Sequence, residues 1–303
     1  MKPVFLFLLT FMLTLTGYSQ PSAVHKNAPD SLVTTIPEEH TDYSSEPYAL
    51  VAGGSKGIGF GIAEALARRH YNLILIARHT DSLVAAKHRL EDSYHIHVEI
   101  LPYDLSKESS AEEIARWCTD RKVQLKMLCN VAGYGGSRDY MKLPLDTLRY
   151  MVRLNIESCM ALTYTLLPLL EKNAPAYVLN VGSMAGFAPL PAKNMYSATK
   201  SAVVFFSYSL RRQLKLKHIS VSCLCPGPVF TKPEIEKDTR QKLGKLGVWM
   251  QVPPERVGEV AVRKTLRHRM IIVPGTLARI ASGIIRITPR GWTAAITGKS
   301  GRK

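Results

Sequence analysis

Ser183 is followed thirteen residues later by Tyr196, and Lys200 comes four residues after that. If Tyr196 and Lys200 share a helix, this spacing puts both on one face, where an ammonium can stabilise a phenolate. A free phenol titrates near ~10, so it is a poor acid or base at neutral pH until a neighbouring cation lowers that value. Ser183 would offer a hydroxyl to the same reacting oxygen. The trio fits proton transfer at a carbonyl or alcohol oxygen. A Tyr and a Lys four apart are also common as plain surface residues, so the elements that carry them must decide.

From Tyr48 onward, short apolar runs alternate with longer amphipathic ones, the pattern of strands and helices wound into a parallel sheet. The runs predict strands at Tyr48–Ala52, Leu73–Ala77, His97–Leu101, Lys126–Asn130, Ala176–Val181, Ser220–Leu224 and Met270–Val273. Helices are predicted near 58–69, 81–92, 108–121, 144–171, 196–217 and 254–267. The expected fold class is α/β: a Rossmann-type doubly wound parallel sheet of about seven strands in a single domain, helices on both faces and a ligand crevice at the strands' carboxyl ends.

The first strand leads into Gly53-Gly54-Ser55-Lys56-Gly57-Ile58-Gly59 and then an amphipathic helix. Glycines at 53, 57 and 59 permit a tight strand-to-helix turn and let a dinucleotide pyrophosphate approach the backbone at the helix N-terminus. Where NAD-binding chains place an acid at the end of the second strand, this one has Arg78, and Lys56 adds a second cation. Both suit the 2′-phosphate of NADP(H), which is the expected cofactor in preference to NAD(H).

The chain from about Tyr48 to Pro274 resembles the short-chain dehydrogenases and reductases. The resemblance rests on the glycine turn, Asp104-Leu105, Asn130-Val131-Ala132-Gly133, Asn155, Ser183, Tyr196, Lys200 and Pro226-Gly227-Pro228-Val229-Phe230-Thr231, which stand in the family's order and spacing. It implies that Tyr196 exchanges a proton with the substrate oxygen while Ser183 hydrogen-bonds that oxygen. Lys200 would lower the tyrosine's pKa and hold the nicotinamide ribose, and Asn155 would steady a water in a proton relay. The cofactor would meet Gly53, Ser55, Lys56, Gly57, Ile58, Gly59, Arg78, Asp104, Leu105, Asn130, Ala132 and Gly133. Beyond these it would meet Tyr196, Lys200, Pro226, Gly227, Val229 and Thr231, with Asn130 also bracing the central strand. Two positions depart from the family pattern: Ala52 replaces a Thr and Val131 an Asn. The family also implies a homodimer or homotetramer formed through the long helices near 144–171 and 196–217.

The other regions bear on substrate and place. Lys2 and the apolar run Val4–Leu15 read as a signal peptide or N-terminal membrane anchor over 1–19, with 20–46 as linker, 47–275 as catalytic domain and 276–303 as a basic amphipathic tail. The chain is accordingly expected to be exported or membrane-associated, on a side of the membrane the residues leave open. In the tail, Leu277, Ile280, Ile284 and Ile287 recur at helical spacing with Arg279 and Arg286 on another side; the helix can lie on an anionic bilayer, or pack on the domain or a second subunit. Between the sixth and seventh strands, Phe230–Gln251 mixes apolar residues with lysines, which suits an apolar carbonyl or alcohol substrate, fatty acyl, steroid-like or retinoid-like. Those residues serve equally to pack a lid helix.

A formal net charge of +16 favours an anionic partner, but the chain has no nucleic-acid recognition motif, and no nucleic-acid partner is expected. A protein that binds NADP(H) only to regulate would need no proton relay. Five scattered cysteines look like core residues, and Cys223 and Cys225 are expected to point to opposite faces, so no metal site is expected.

Overall fold

Tyr48–Ala52 is buried at all five positions, and a strand with no polar alternate belongs inside a sheet covered on both faces. A computed structural model of the chain describes residues 43, 45–135, 140–227, 229 and 252–299, and this segment is its β1. The other strands are β2 (Asn72–Ala77), β3 (Val98–Pro102), β4 (Leu125–Asn130), β5 (Ala176–Val181), β6 (Ile219–Leu224) and β7 (Ile271–Ile272). All pair in parallel in the order β3-β2-β1-β4-β5-β6-β7. Connections run one way from β1 and the other way from β4, so a crevice opens between these two strands at their carboxyl ends.

The helices are α1 (Gly57–Ala67), α2 (Thr80–Tyr94), α3 (Ser110–Asp120), α4 (Leu145–Val152), α5 (Ser158–Lys172), α6 (Asn194–Gln213), α7 (Pro254–Leu266), α8 (Thr276–Ile287) and α9 (Arg290–Lys299). Alternate strand residues feed two cores. Leu50 and Ile74 pack with Ile114, Leu166 and Leu210 of α3, α5 and α6, while Val51 and Leu75 pack with Leu66, Leu83 and Val257 of α1, α2 and α7. The sheet is thus covered on both faces, as the continuous apolar strands require.

Three differences from the sequence expectations have physical causes. The single helix expected over 144–171 is α4 and α5 joined by a π-helical turn, Arg153–Glu157, whose extra residue re-aims the side chains that follow. The helix expected over 196–217 ends at Gln213, followed by a short 3-10 turn and His218 in the left-handed region, φ 54°. Cys223 and Cys225 do not point apart: their Sγ atoms lie 3.7 Å from each other, both fully buried. Strand side chains alternate with a period of two, so residues two apart return to one face. All five thiols are free and buried, and among the described residues no three His, Cys, Asp or Glu side chains cluster to hold a metal.

Tyr43, within the expected linker, already packs on the domain: its hydroxyl donates to Glu99 Oε1 at 2.7 Å and its ring meets Trp117 edge-on. The apolar N-terminal run and the 230–251 segment lie outside the described residues; among the described residues no helix is long and apolar enough to cross a membrane.

Candidate active site

The crevice begins with the glycine turn between β1 and α1. Gly53 has φ +87°, and its N–H donates to Ile76 O of the adjacent strand at 2.7 Å. A Cβ at Gly59 would lie 1.9 Å from Gly53 O, so the turn closes on itself only with glycine there. The turn leaves the first N–H groups of α1 without helical partners, a ready receptor for a pyrophosphate. On the β4 side, Ala52 O accepts from Val131 N at 2.9 Å and Ala132 N at 2.7 Å. The main chain therefore fastens the crevice wall at the two positions where the sequence departs from the family pattern.

Arg78, at the end of β2, is exposed, and its Nη1 donates to the Tyr150 hydroxyl at 2.8 Å. Asp104 Oδ1 accepts from Ser106 N and Ser106 Oγ at 3.0 and 2.8 Å, which fixes the loop after β3, and Leu105 behind it is buried. Lys56 is exposed at the start of α1, flanked by Ser55 and Ile58. A glycine cradle, open helix N–H groups and a surface guanidinium form a set that fits a phosphorylated dinucleotide.

The acid–base side chains converge one strand further on. Ser183 follows β5 and Gly182, and its hydroxyl accepts from Ala185 N at 3.1 Å. It also shares a hydrogen bond with the Tyr196 hydroxyl from the first turn of α6. Lys200, one helical turn on, is buried; its Nζ donates to Val181 O at 2.8 Å and lies 6.0 Å from the Tyr196 ring centroid. A Cβ on Gly133 would sit 3.3 Å from that Nζ and 3.2 Å from Asn155 Oδ1, so both groups border the main chain after β4. Asn155 lies in the π-helical turn, where its Oδ1 accepts from Tyr134 N at 2.6 Å. Its Nδ2 donates to Tyr134 O at 2.9 Å and Thr199 Oγ1 at 3.0 Å.

Burial pushes the Tyr196 phenol above its ordinary value, against a lowering hydrogen bond from Ser183. Burial pushes the Lys200 ammonium down in turn. Desolvation disfavours the charged form of each.

Below these groups runs a buried polar ladder that the sequence reading only began. Asn130 and Asn180 are register partners on β4 and β5, and Asn130 Nδ2 donates to Asn180 Oδ1 at 2.9 Å and Thr163 Oγ1 at 3.0 Å. Asn180 Nδ2 donates to Ser207 Oγ at 2.9 Å. Asn130 thus ties β4 to β5 and α5 beneath the crevice. A lone Asn in each of two apolar strands was the available signal for Asn180; Thr199, Ser207 and Tyr150 carried none. Pro226 accepts from Met184 N at 3.1 Å, and Gly227 and Val229 border the same end of the sheet. Thr231 lies outside the described residues.

Residues 47–242 match the family model for short chain dehydrogenase, which makes the chain an oxidoreductase of carbonyl and CH–OH groups. The chain belongs to that family, whose members use NAD(P)(H). It is 30% identical over 200 residues to a mouse very-long-chain 3-oxoacyl-CoA reductase, covering 64% of this chain and 64% of that one. The chain thus spans just under two thirds of that relative's length. Over 184 residues it is 32% identical to the rhamnolipids biosynthesis 3-oxoacyl-[acyl-carrier-protein] reductase of Pseudomonas aeruginosa, covering 59% of this chain and 71% of that one. Among solved structures, the Pseudomonas aeruginosa RhlG/NADP active-site complex matches with a TM-score of 0.68 and 27% identity, over 78% of this chain and 97% of that one.

Proposed function

We propose that the chain is an NADP(H)-dependent reductase that converts a ketone on an apolar substrate, in the first instance a 3-oxoacyl thioester, to the secondary alcohol. The observation that carries this reading is the meeting of Ser183, Tyr196 and Lys200 at the carboxyl end of β5, beside Gly133. The bound dinucleotide supplies the hydride. Tyr196 gives its hydroxyl proton to the carbonyl oxygen, and Ser183 donates a hydrogen bond to the same oxygen as charge develops on it. Lys200 holds the nicotinamide ribose and returns a proton to the tyrosine. Asn155 keeps the relay's wall in place by clamping Tyr134 and Thr199. The acyl class is favoured by two relatives named as 3-oxoacyl reductases, and the preference for NADP(H) by Arg78 and by the NADP complex among the structural relatives.

Two further readings belong here. The chain pairs through α5 and α6, whose outer faces leave Tyr164 80% and Phe205 68% exposed. The apolar run Val4–Leu15 brings the chain to a membrane or exports it; sequencing the mature N-terminus distinguishes cleavage before Gln20 from a retained anchor. The activity is tested by mixing the full chain with NADPH or NADH and a panel of 3-oxoacyl thioesters and bulky ketones, following cofactor absorbance. Oxidation of NADPH by 3-oxoacyl thioesters, faster than of NADH, is expected; no oxidation with any ketone contradicts the reading.

A further inference from the structure

Helix α8 packs Leu277, Ile284 and Ile285 on the domain and leaves the rest of its apolar surface uncovered. Its buried positions are Ala278, Ala281, Ser282 and Ile285, three of them small. Two of its larger aliphatic residues, Ile280 and Ile287, are 55% and 83% exposed, and Trp292, just inside α9, is 63% exposed. An exposed cluster of large apolar side chains is the informative exception on a protein surface.

Charge says what covers it. Ten Lys and Arg follow Glu259, and no acidic residue does. Arg279, Arg286 and Arg290 stand exposed among the apolar residues of this face. Two are held in place: Arg286 donates to the Tyr208 hydroxyl at 2.8 Å and lies over the Phe187 ring, and Arg290 donates to Phe187 O. Aliphatic residues and a Trp set among fixed cations match the boundary between acyl chains and anionic headgroups.

The inner side of this unit touches the active site. Ala278, Ala281 and Ile285 pack on Met184, Ala185 and Phe187, the residues that follow Ser183. Ala278 Cβ lies 3.9 Å from where a Cβ on Gly227 would stand, and Thr297 Oγ1 of α9 donates to Pro189 O at 3.2 Å. One helix thickness, ~10 Å, separates the exposed face from the wall beside Ser183.

We propose that α8 and α9 dock on an anionic lipid bilayer through Ile280, Ile287, Trp292, Arg279, Arg286 and Arg290, holding the substrate cleft at the surface where an apolar acyl substrate partitions. This rests on the proposed apolar substrate and membrane routing and adds the surface that performs the docking. The test is backbone hydrogen exchange of the full chain, with vesicles of phosphatidylcholine containing phosphatidylserine and with phosphatidylcholine alone. Exchange across 276–299 slows on the anionic vesicles only, and the double variant Ile280→Glu, Ile287→Glu loses the slowing. That variant binds the anionic vesicles at least about tenfold more weakly, with turnover of a soluble ketone unchanged. Cosedimentation without slowing at 276–299 overturns the docking surface and leaves membrane routing by the N-terminal run standing. Slowing that needs no vesicles and grows with protein concentration assigns the face to a second copy and overturns the proposal. Failure to sediment with either vesicle removes both readings.

Discussion

The crevice and the α8–α9 face break the ordinary partition of residues in opposite senses. At the crevice, Asn130, Asn155, Asn180 and Lys200 are all buried, and each makes hydrogen bonds within the protein, with Asn130 Oδ1 left unpaired. On α8 and α9, Ile280, Ile287 and Trp292 are exposed, while Ala278, Ala281, Ser282 and Ile285 take the buried positions of α8. A buried polar group costs stability unless it is partnered, and an exposed apolar group forfeits burial energy that folding could have used. Neither arrangement serves folding best. On the readings proposed above, each is a place where side chains are kept for something outside the fold: a reacting oxygen in one case, a lipid surface in the other.

If this contrast is sound, polar deletions at the crevice should be expensive and apolar deletions on α8 nearly free. The largest effect is expected at the ladder: Asn180→Ala removes the acceptor that Asn130 Nδ2 uses across the strands and the donor to Ser207 Oγ, and should lower stability by about 2 kcal/mol in urea unfolding. Arg78→Gln should lower the proposed preference for NADPH over NADH about tenfold, read as the ratio of kcat/KM values, because it removes the guanidinium proposed to meet the 2′-phosphate.

A smaller effect is expected where α1 meets α7. There the Arg69 guanidinium donates to both oxygens of Glu259, at 2.9 and 2.6 Å, and holds its carboxyl below the usual value. A carboxylate with a lowered folded-state pKa stabilises above its unfolded value and loses that contribution as pH falls through the lowered one. Glu259→Gln should therefore cost about 0.5–1 kcal/mol near neutrality, and the difference from wild type should vanish on acidification below the carboxylate range. The smallest effect is expected on the outer face of α8, where Ile287→Ser should change stability by less than about 0.5 kcal/mol. A loss of several kcal/mol there would mean the face is structural, and the contrast would fail.

The two regions were not equally legible in the sequence. The strands announced themselves because buried parallel strands are continuous apolar runs, and the glycine turn because no other residue fits Gly53 at φ +87°. Ser183, Tyr196 and Lys200 were legible from spacing, since one helical turn fixes where the last two project. What escaped depended on long-range packing. The π-helical turn that aims Asn155 has no local signature. Neither does the meeting of Arg78 with Tyr150, 72 residues away. The aliphatic repeat in α8 was visible, but local pattern could not say which face the domain would claim. The domain took the face of Ala278, Ala281 and Ile285, with Leu277 and Ile284 packed beside it.

The most direct test of the proton relay is Tyr196→Phe in the full chain, with NADPH binding and ketone turnover measured on the same preparation. Turnover should fall by about a thousandfold while NADPH affinity stays within about twofold, since the ring remains and only the proton is lost. A Tyr196→Phe protein that turns over at the wild-type rate would contradict the assignment of Tyr196 as the acid.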